Sequence, residues 1–143
     1  MQKIYILIAE DDADDRFLLE TAFKECGFHE ELVFVDNGVE LVQFLSSQTG
    51  KPNPSKCFPG FIMLDLNMPK KDGREVLKEI KENPLYRKIP VVIFTTTKND
   101  HEVTRCYELG ANSYVVKPVN FDELVNVIRE MRNYWLSISV LPG

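Results

Sequence analysis

Phe61-Ile62-Met63-Leu64-Asp65-Leu66-Asn67-Met68-Pro69 drives four consecutive apolar residues straight into a carboxylate, and a proline follows shortly after. An unbroken apolar run of this length suits a strand covered on both faces, as in a parallel sheet, rather than a strand with one wet face. The same construction recurs along the chain. Residues 4–9 run into Glu10-Asp11, residues 91–94 into Thr95 and residues 114–116 into Lys117, and residues 32–35 form a fifth, less continuous run. Between the runs lie apolar residues at helical spacing: Phe17, Leu18, Ala22; Val39, Leu41, Val42, Leu45; Val76, Leu77, Ile80; Val103, Cys106, Tyr107; and Phe121, Leu124, Val125, Ile128, Met131. Five strand–helix alternations predict an α/β fold, a parallel sheet with helices on both faces.

The helix starts carry their own chemistry. Asn37 precedes Glu40, Asp72 precedes Glu75, Asn99 precedes Glu102 and Asn120 precedes Glu123, each at capping-box spacing. The cap oxygen can accept from an orphan N–H of the first turn, and the Glu can reach back to the cap's own N–H. Residues 49–59, with Pro52, Pro54 and Pro59, read as a loop. The last helix is expected to run to about residue 135.

At 143 residues the chain is one domain's worth, able to bury a core without disulfide staples. The expected organisation is a single domain over 1–143 with a short tail from about 136. Seventeen Lys and Arg against 22 Asp and Glu leave a net charge of −5, which argues against broad nucleic-acid or anionic-membrane binding. No apolar run approaches the ~20 residues of a membrane helix, and the apolar start is too short for a secretory signal. Cys26, Cys57 and Cys106 match neither a metal pattern nor a disulfide framework and are expected to be reduced thiols in a cytoplasmic protein. His29 and His101 are expected to be surface residues.

Function is written in what ends each strand. In an open parallel sheet the carboxyl ends share one edge, and ligands bind there. Three carboxylates (Glu10, Asp11, Asp65), the Thr95 hydroxyl and the Lys117 ammonium are therefore delivered to one place. Carboxylates crowded together disfavour ionisation. A hard divalent cation relieves this, and an all-oxygen donor set suits Mg²⁺. The sequence has no Gly-rich nucleotide loop and no nucleophile–histidine pair for acyl transfer. What remains is a small site suited to a phosphoryl group, with a carboxylate as nucleophile. Taken singly, these residues have ordinary readings. Asp12, Asp14 and Asp15 simply complement a helix N-terminus, and Lys117 alone is a surface lysine.

The stretches Ile8-Ala9-Glu10-Asp11-Asp12, Leu64-Asp65-Leu66-Asn67-Met68-Pro69, Phe94-Thr95-Thr96 and Tyr114-Val115-Val116-Lys117-Pro118 resemble, in order and spacing, the motifs of two-component receiver domains (CheY-like). Pro69-Lys70-Lys71-Asp72-Gly73-Arg74-Glu75-Val76-Leu77 and the aromatic tail are similar to single-domain receivers paired with bacterial phytochromes. The resemblance implies a flavodoxin-like (βα)5 fold of strand order 2-1-3-4-5. It implies that Asp65 is the phosphoacceptor, taking its phosphoryl group from a sensor histidine kinase or histidine phosphotransfer protein. Asp11, Asp65 and the Asn67 backbone carbonyl would hold Mg²⁺, with Glu10 acting through a metal-bound water. Lys117 and Thr95 would contact the phosphoryl oxygens, Thr95 and Tyr114 would form the switch, and Lys117–Pro118 would be a cis peptide. The stretch from residue 100 to 109 would move with the switch, and Asn67 and Thr97 would flank the path of attacking water. Output would be contact with a downstream protein, and a homodimer would use the last two helices and last strand. Two other readings compete. One is a Mg²⁺-dependent phosphatase acting through an aspartyl intermediate, against which Asn67 stands where a second Asp would serve as general acid. The other is an unphosphorylated binding module.

Overall fold

The computed structural model describes residues 4–52 and 57–138. The chain alternates β1 (Tyr5–Ala9), α1 (Ala13–Glu25), β2 (Glu31–Val35), α2 (Gly38–Thr49), β3 (Phe61–Leu64), α3 (Gly73–Glu82), β4 (Val91–Thr95), α4 (Asp100–Glu108), β5 (Ser113–Val116) and α5 (Phe121–Asn133). All strand pairs are parallel, and the sheet order is β2-β1-β3-β4-β5. This is the flavodoxin-like arrangement, and each strand lies within one residue of its sequence-predicted bounds.

Alternation along the strands divides the core into two layers. Leu7 and Ala9 of β1 join Leu41, Leu45, Val76, Leu77, Ile80 and Cys106 beneath α2, α3 and α4. Ile6 and Ile8 point the other way, joining Leu19, Ala22, Phe23, Leu124, Val125 and Ile128 beneath α1 and α5. Double coverage explains the unbroken apolar runs of β1, β3 and β4. It does not extend to β5, whose residues are only half-buried, with Val116 40% exposed. The physical reason is position: β5 is an edge strand and packs a neighbour on one side only.

The predicted caps hold, but the reciprocal arms differ. Asn37 accepts from Glu40 N, Asp72 from Arg74 N, Asn99 from His101 N and Glu102 N, and Asn120 from Glu123 N. Glu40 reaches back to the Asp36 N–H and to the Asn37 amide rather than to the cap's own N–H. Glu102 is drawn to Arg74 instead. A full positive charge attracts a carboxylate more strongly than one backbone N–H does. Asp12 adds a fifth cap, accepting from Asp15 N at 3.0 Å.

The last helix changes character where its end was expected. α5 stops at Asn133 and a π-helical turn, Tyr134–Ile138, continues the chain. Tyr134 and Trp135 meet edge to face in it. Arg132 secures this end, bonding both Glu30 oxygens and Ser137 and lying over the Phe28 ring. Of the expected loop and tail, residues 53–56 and 139–143 lie outside the described residues.

Lys81, on α3, joins three parts of the fold. Its ammonium donates to Arg87 O, Ile89 O and Asn112 Oδ1 at 3.1, 2.8 and 2.9 Å, and Asn112 Oδ1 also accepts from Val91 N, the first residue of β4. Burial pushes its pKa down to about 8, so the three oxygens still meet an ammonium at neutral pH. Lys81→Met leaves them without that donor and is expected to cost about 2–3 kcal/mol. A urea midpoint shift at unchanged slope measures it, and an unmoved midpoint contradicts it.

Candidate functional site

The carboxyl edge of the sheet gathers the predicted residues, each by a local device. Glu10 follows β1, and its N–H still bonds Val35 O at 3.1 Å, so the strand register carries one residue into the loop. Asp65 follows β3 and accepts from Asn67 N at 3.1 Å through Oδ1, a tight side-chain turn that fixes the carboxylate. Gly73 begins α3 directly beneath it. A Cβ there would stand 2.4 Å from Asp65 O, so only glycine lets the helix approach so closely. Lys117 leaves β5 with its N–H on Thr95 O at 2.8 Å.

Lys117 is the hub. Its Nζ lies 2.9 Å from Asp65 Oδ2, 2.8 Å from Glu10 Oε1 and 4.0 Å from Asp15 Oδ2. Glu10 is 3% exposed, and its second oxygen accepts from Asp11 N at 3.1 Å. Burial raises the Glu10 pKa above the ordinary carboxylate range, with the Asp65 charge adding to it against the pull of Lys117. Burial alone would lower the Lys117 pKa, but its bonds to Glu10 and Asp65 and their charges outweigh it and raise it. One ammonium between two carboxylates leaves the cluster with surplus negative charge. Asp11 adds to that surplus: its carboxylate is exposed and, among the described residues, makes no hydrogen bond or ion pair.

The donor set therefore fits a hard cation in composition: oxygens only, excess negative charge and one carboxylate without a partner. Among the described residues no three acidic, histidine or cysteine side chains already converge as a metal cage. Lys117 occupies the middle ground between Glu10 and Asp65, and Asp11 points to solvent.

Thr95, at the end of β4, is fully buried, and among the described residues its Oγ1 has no hydrogen-bond partner. A buried hydroxyl without a partner costs ~1–3 kcal/mol, so its persistence calls for an explanation. Tyr114 is half-buried, with its hydroxyl donating to Thr97 O at 2.6 Å, which ties β5 to the loop after β4. Asn67 Nδ2 reaches Thr97 Oγ1 at 3.4 Å, bridging the loops after β3 and β4. One expectation fails: the described residues contain no cis peptide, so Lys117–Pro118 is trans. Trans is the lower-energy form of an X–Pro bond by ~0.5–1 kcal/mol.

Some site residues escaped the sequence reading. Arg74 bonds its own helix cap, Asp72, at 2.9 Å and also Glu102, joining α3 to α4. Arg16 bonds the Glu10 carbonyl and Asp36. Glu102 and Asp36 lie 28 and 20 positions away and the Glu10 contact is to backbone, so no short-range spacing reports them.

The geometry now has a counterpart among known proteins. The family model described as response regulator receiver domain matches residues 6–129. The chain belongs to that family. This receiver is 39% identical over 138 residues to the response regulator Rcp1 of Synechocystis sp., covering 96% of this chain and 92% of that protein. The solved Mn²⁺-bound form of Rcp1 superposes with a TM-score of 0.84 at 38% identity, covering 99% of this chain and all of that one. The phosphorylated cyanobacterial phytochrome response regulator RcpA gives 0.86 at 34% identity, again over 99% and 100% of the two chains. This receiver is thus a signalling protein of two-component type. Among the described residues no helix is long and apolar enough to cross a membrane.

Proposed function

We propose that this receiver is a stand-alone phosphoacceptor switch of the cytoplasm, phosphorylated on Asp65 by a sensor histidine kinase or histidine phosphotransfer protein. The observation that carries the reading is the Lys117 ammonium held against Asp65 beside the buried, partnerless hydroxyl of Thr95. A carboxylate oxygen of Asp65 forms the new O–P bond as the P–N bond to the donor histidine breaks, the nitrogen keeping the electron pair. Lys117 then holds the phosphoryl oxygens, and Thr95 Oγ1 donates to one of them, gaining the partner it lacks. Asp11, Asp65 and the Asn67 carbonyl would hold Mg²⁺, with Glu10 acting through water; bound there, the ion offsets the phosphoryl charge. The Mn²⁺ form of Rcp1 and the phosphorylated form of RcpA support both parts.

A phosphoryl group adds about −2 charge, enough to bias a two-state element. The element is Thr95, Tyr114 and the Thr97 carbonyl that Tyr114 holds: drawing Thr95 toward the phosphate alters the loop that tethers Tyr114 and α4 behind it. Output is contact with a downstream protein across α4, β5 and α5, where Val116 and Val119 stand exposed. A second copy of the chain would use the same face, and sedimentation with and without an acyl-phosphate mimic reads that out. The likeness to the phytochrome response regulator RcpA favours a phytochrome as the sensor. Intact mass after incubation with acetyl phosphate and Mg²⁺ tests the central step: one phosphoryl group is expected, and none in the presence of a chelator.

A further inference from the structure

We infer that Arg16 is a positioning residue for divalent-cation binding, holding the Glu10–Asp11 peptide so that the Asp11 carboxylate is presented to the ion. The inference rests on the phosphoacceptor reading above. Arg16 stands in the first turn of α1, where a positive charge opposes the helix dipole, so helix stability does not account for it. Its side chain instead turns back to β1. Nε donates to Glu10 O at 2.6 Å, Nη2 pairs with Asp36, and the guanidinium lies 5.3 Å over the Phe34 ring. Only 26% of the side chain is exposed.

The bond to Glu10 is the informative one. Glu10 O and Asp11 N belong to the same peptide unit. Arg16 holds its oxygen, and Glu10 Oε2 holds its N–H at 3.1 Å. With both ends held, the plane of that peptide is fixed, and with it the place of the Asp11 Cα from which the carboxylate reaches out. Among the described residues the Asp11 carboxylate has no anchor of its own. A ligand on a fixed backbone loses less freedom when it closes on an ion. The effect is geometric rather than electrostatic, because Asp36 already offsets the Arg16 charge.

The test is direct Mg²⁺ titration by calorimetry, beside the Mg²⁺ dependence of labelling by acetyl phosphate. Arg16→Gln is expected to raise the Mg²⁺ dissociation constant about 10-fold, the size typical of partners that orient metal ligands. The half-saturating Mg²⁺ for labelling should rise by the same factor, while the rate at saturating Mg²⁺ stays within about threefold. Arg16→Lys keeps the charge without the fork and should recover little, and Asp36→Asn, which releases the far arm, should fall between. Lys81→Met serves as the control for general loosening and should leave the Mg²⁺ constant unmoved. An unchanged constant in Arg16→Gln, or an equal shift in Lys81→Met, overturns the inference. Should Arg16→Gln fail to fold, Arg16→Lys and Asp36→Asn decide on the same readout, wild-type constants in both overturning it. A wild-type chain that neither binds Mg²⁺ nor accepts phosphate removes the phosphoacceptor reading itself. A wild-type chain that does both, with an indifferent Arg16→Gln, removes this inference alone.

Discussion

Asp65→Asn protein, incubated with acetyl phosphate and Mg²⁺, is expected to keep its unmodified mass while wild type gains one phosphoryl group. The amide lacks the nucleophilic oxygen of a carboxylate, so loss of the acyl phosphate should be complete rather than partial. Folding should barely notice. The substitution removes one negative charge from a cluster that holds two carboxylates against one ammonium, at the cost of one of the two polar contacts, to Asn67 N or to Lys117 Nζ. These effects oppose each other, and the net change is expected within about 1 kcal/mol by thermal melt. Labelling of a folded Asp65→Asn chain at the wild-type level would place the acceptor elsewhere.

Lys117→Met carries the second large effect. It strips the ammonium from Glu10 and Asp65, leaving two neighbouring carboxylates without a counter-charge in a largely enclosed setting. Breaking such a pair from one side is expected to cost about 3 kcal/mol at neutral pH, and labelling should fall by about 10²-fold with the loss of a donor to the phosphoryl oxygens. The pH dependence has a definite sign. Burial already holds the Glu10 pKa above its ordinary value in the folded chain, and losing Lys117 raises it further. The folded state then keeps a proton that the unfolded chain has released. Its stability therefore declines as pH rises from the unfolded value through the folded one. Melts of Lys117→Met should thus approach wild type on acidification, because protonated Glu10 no longer needs the lysine. A deficit independent of pH would mean that Lys117 acts by packing rather than by charge.

What the chain disclosed in advance follows from where its interactions run. The strands were legible because β1, β3 and β4 are covered on both faces, which writes apolar residues without interruption and halts them at Glu10, Asp65 and Thr95. The helix starts were legible because a cap and its N–H partner are two or three residues apart. That Glu10, Asp65 and Lys117 meet was legible from topology, since parallel strands end on one edge. What stayed hidden spans greater distances. Arg74 meets Glu102 across 28 positions and Lys81 meets Asn112 across 31, and a helical arginine or lysine looks the same in sequence whether it faces water or a carbonyl. Arg16 was hidden for a related reason: its partner at Glu10 is a backbone oxygen, which has no letter in the sequence. The edge exposure of β5 was hidden because Tyr114-Val115-Val116 reads as apolar whether or not a helix covers it.

The ammonium lodged between Glu10 and Asp65 supplies, from within the chain, part of the positive charge that this acidic edge needs. On the phosphoacceptor reading, withdrawing magnesium would therefore disarm the switch without dismantling it, the architecture staying intact until the salt returns.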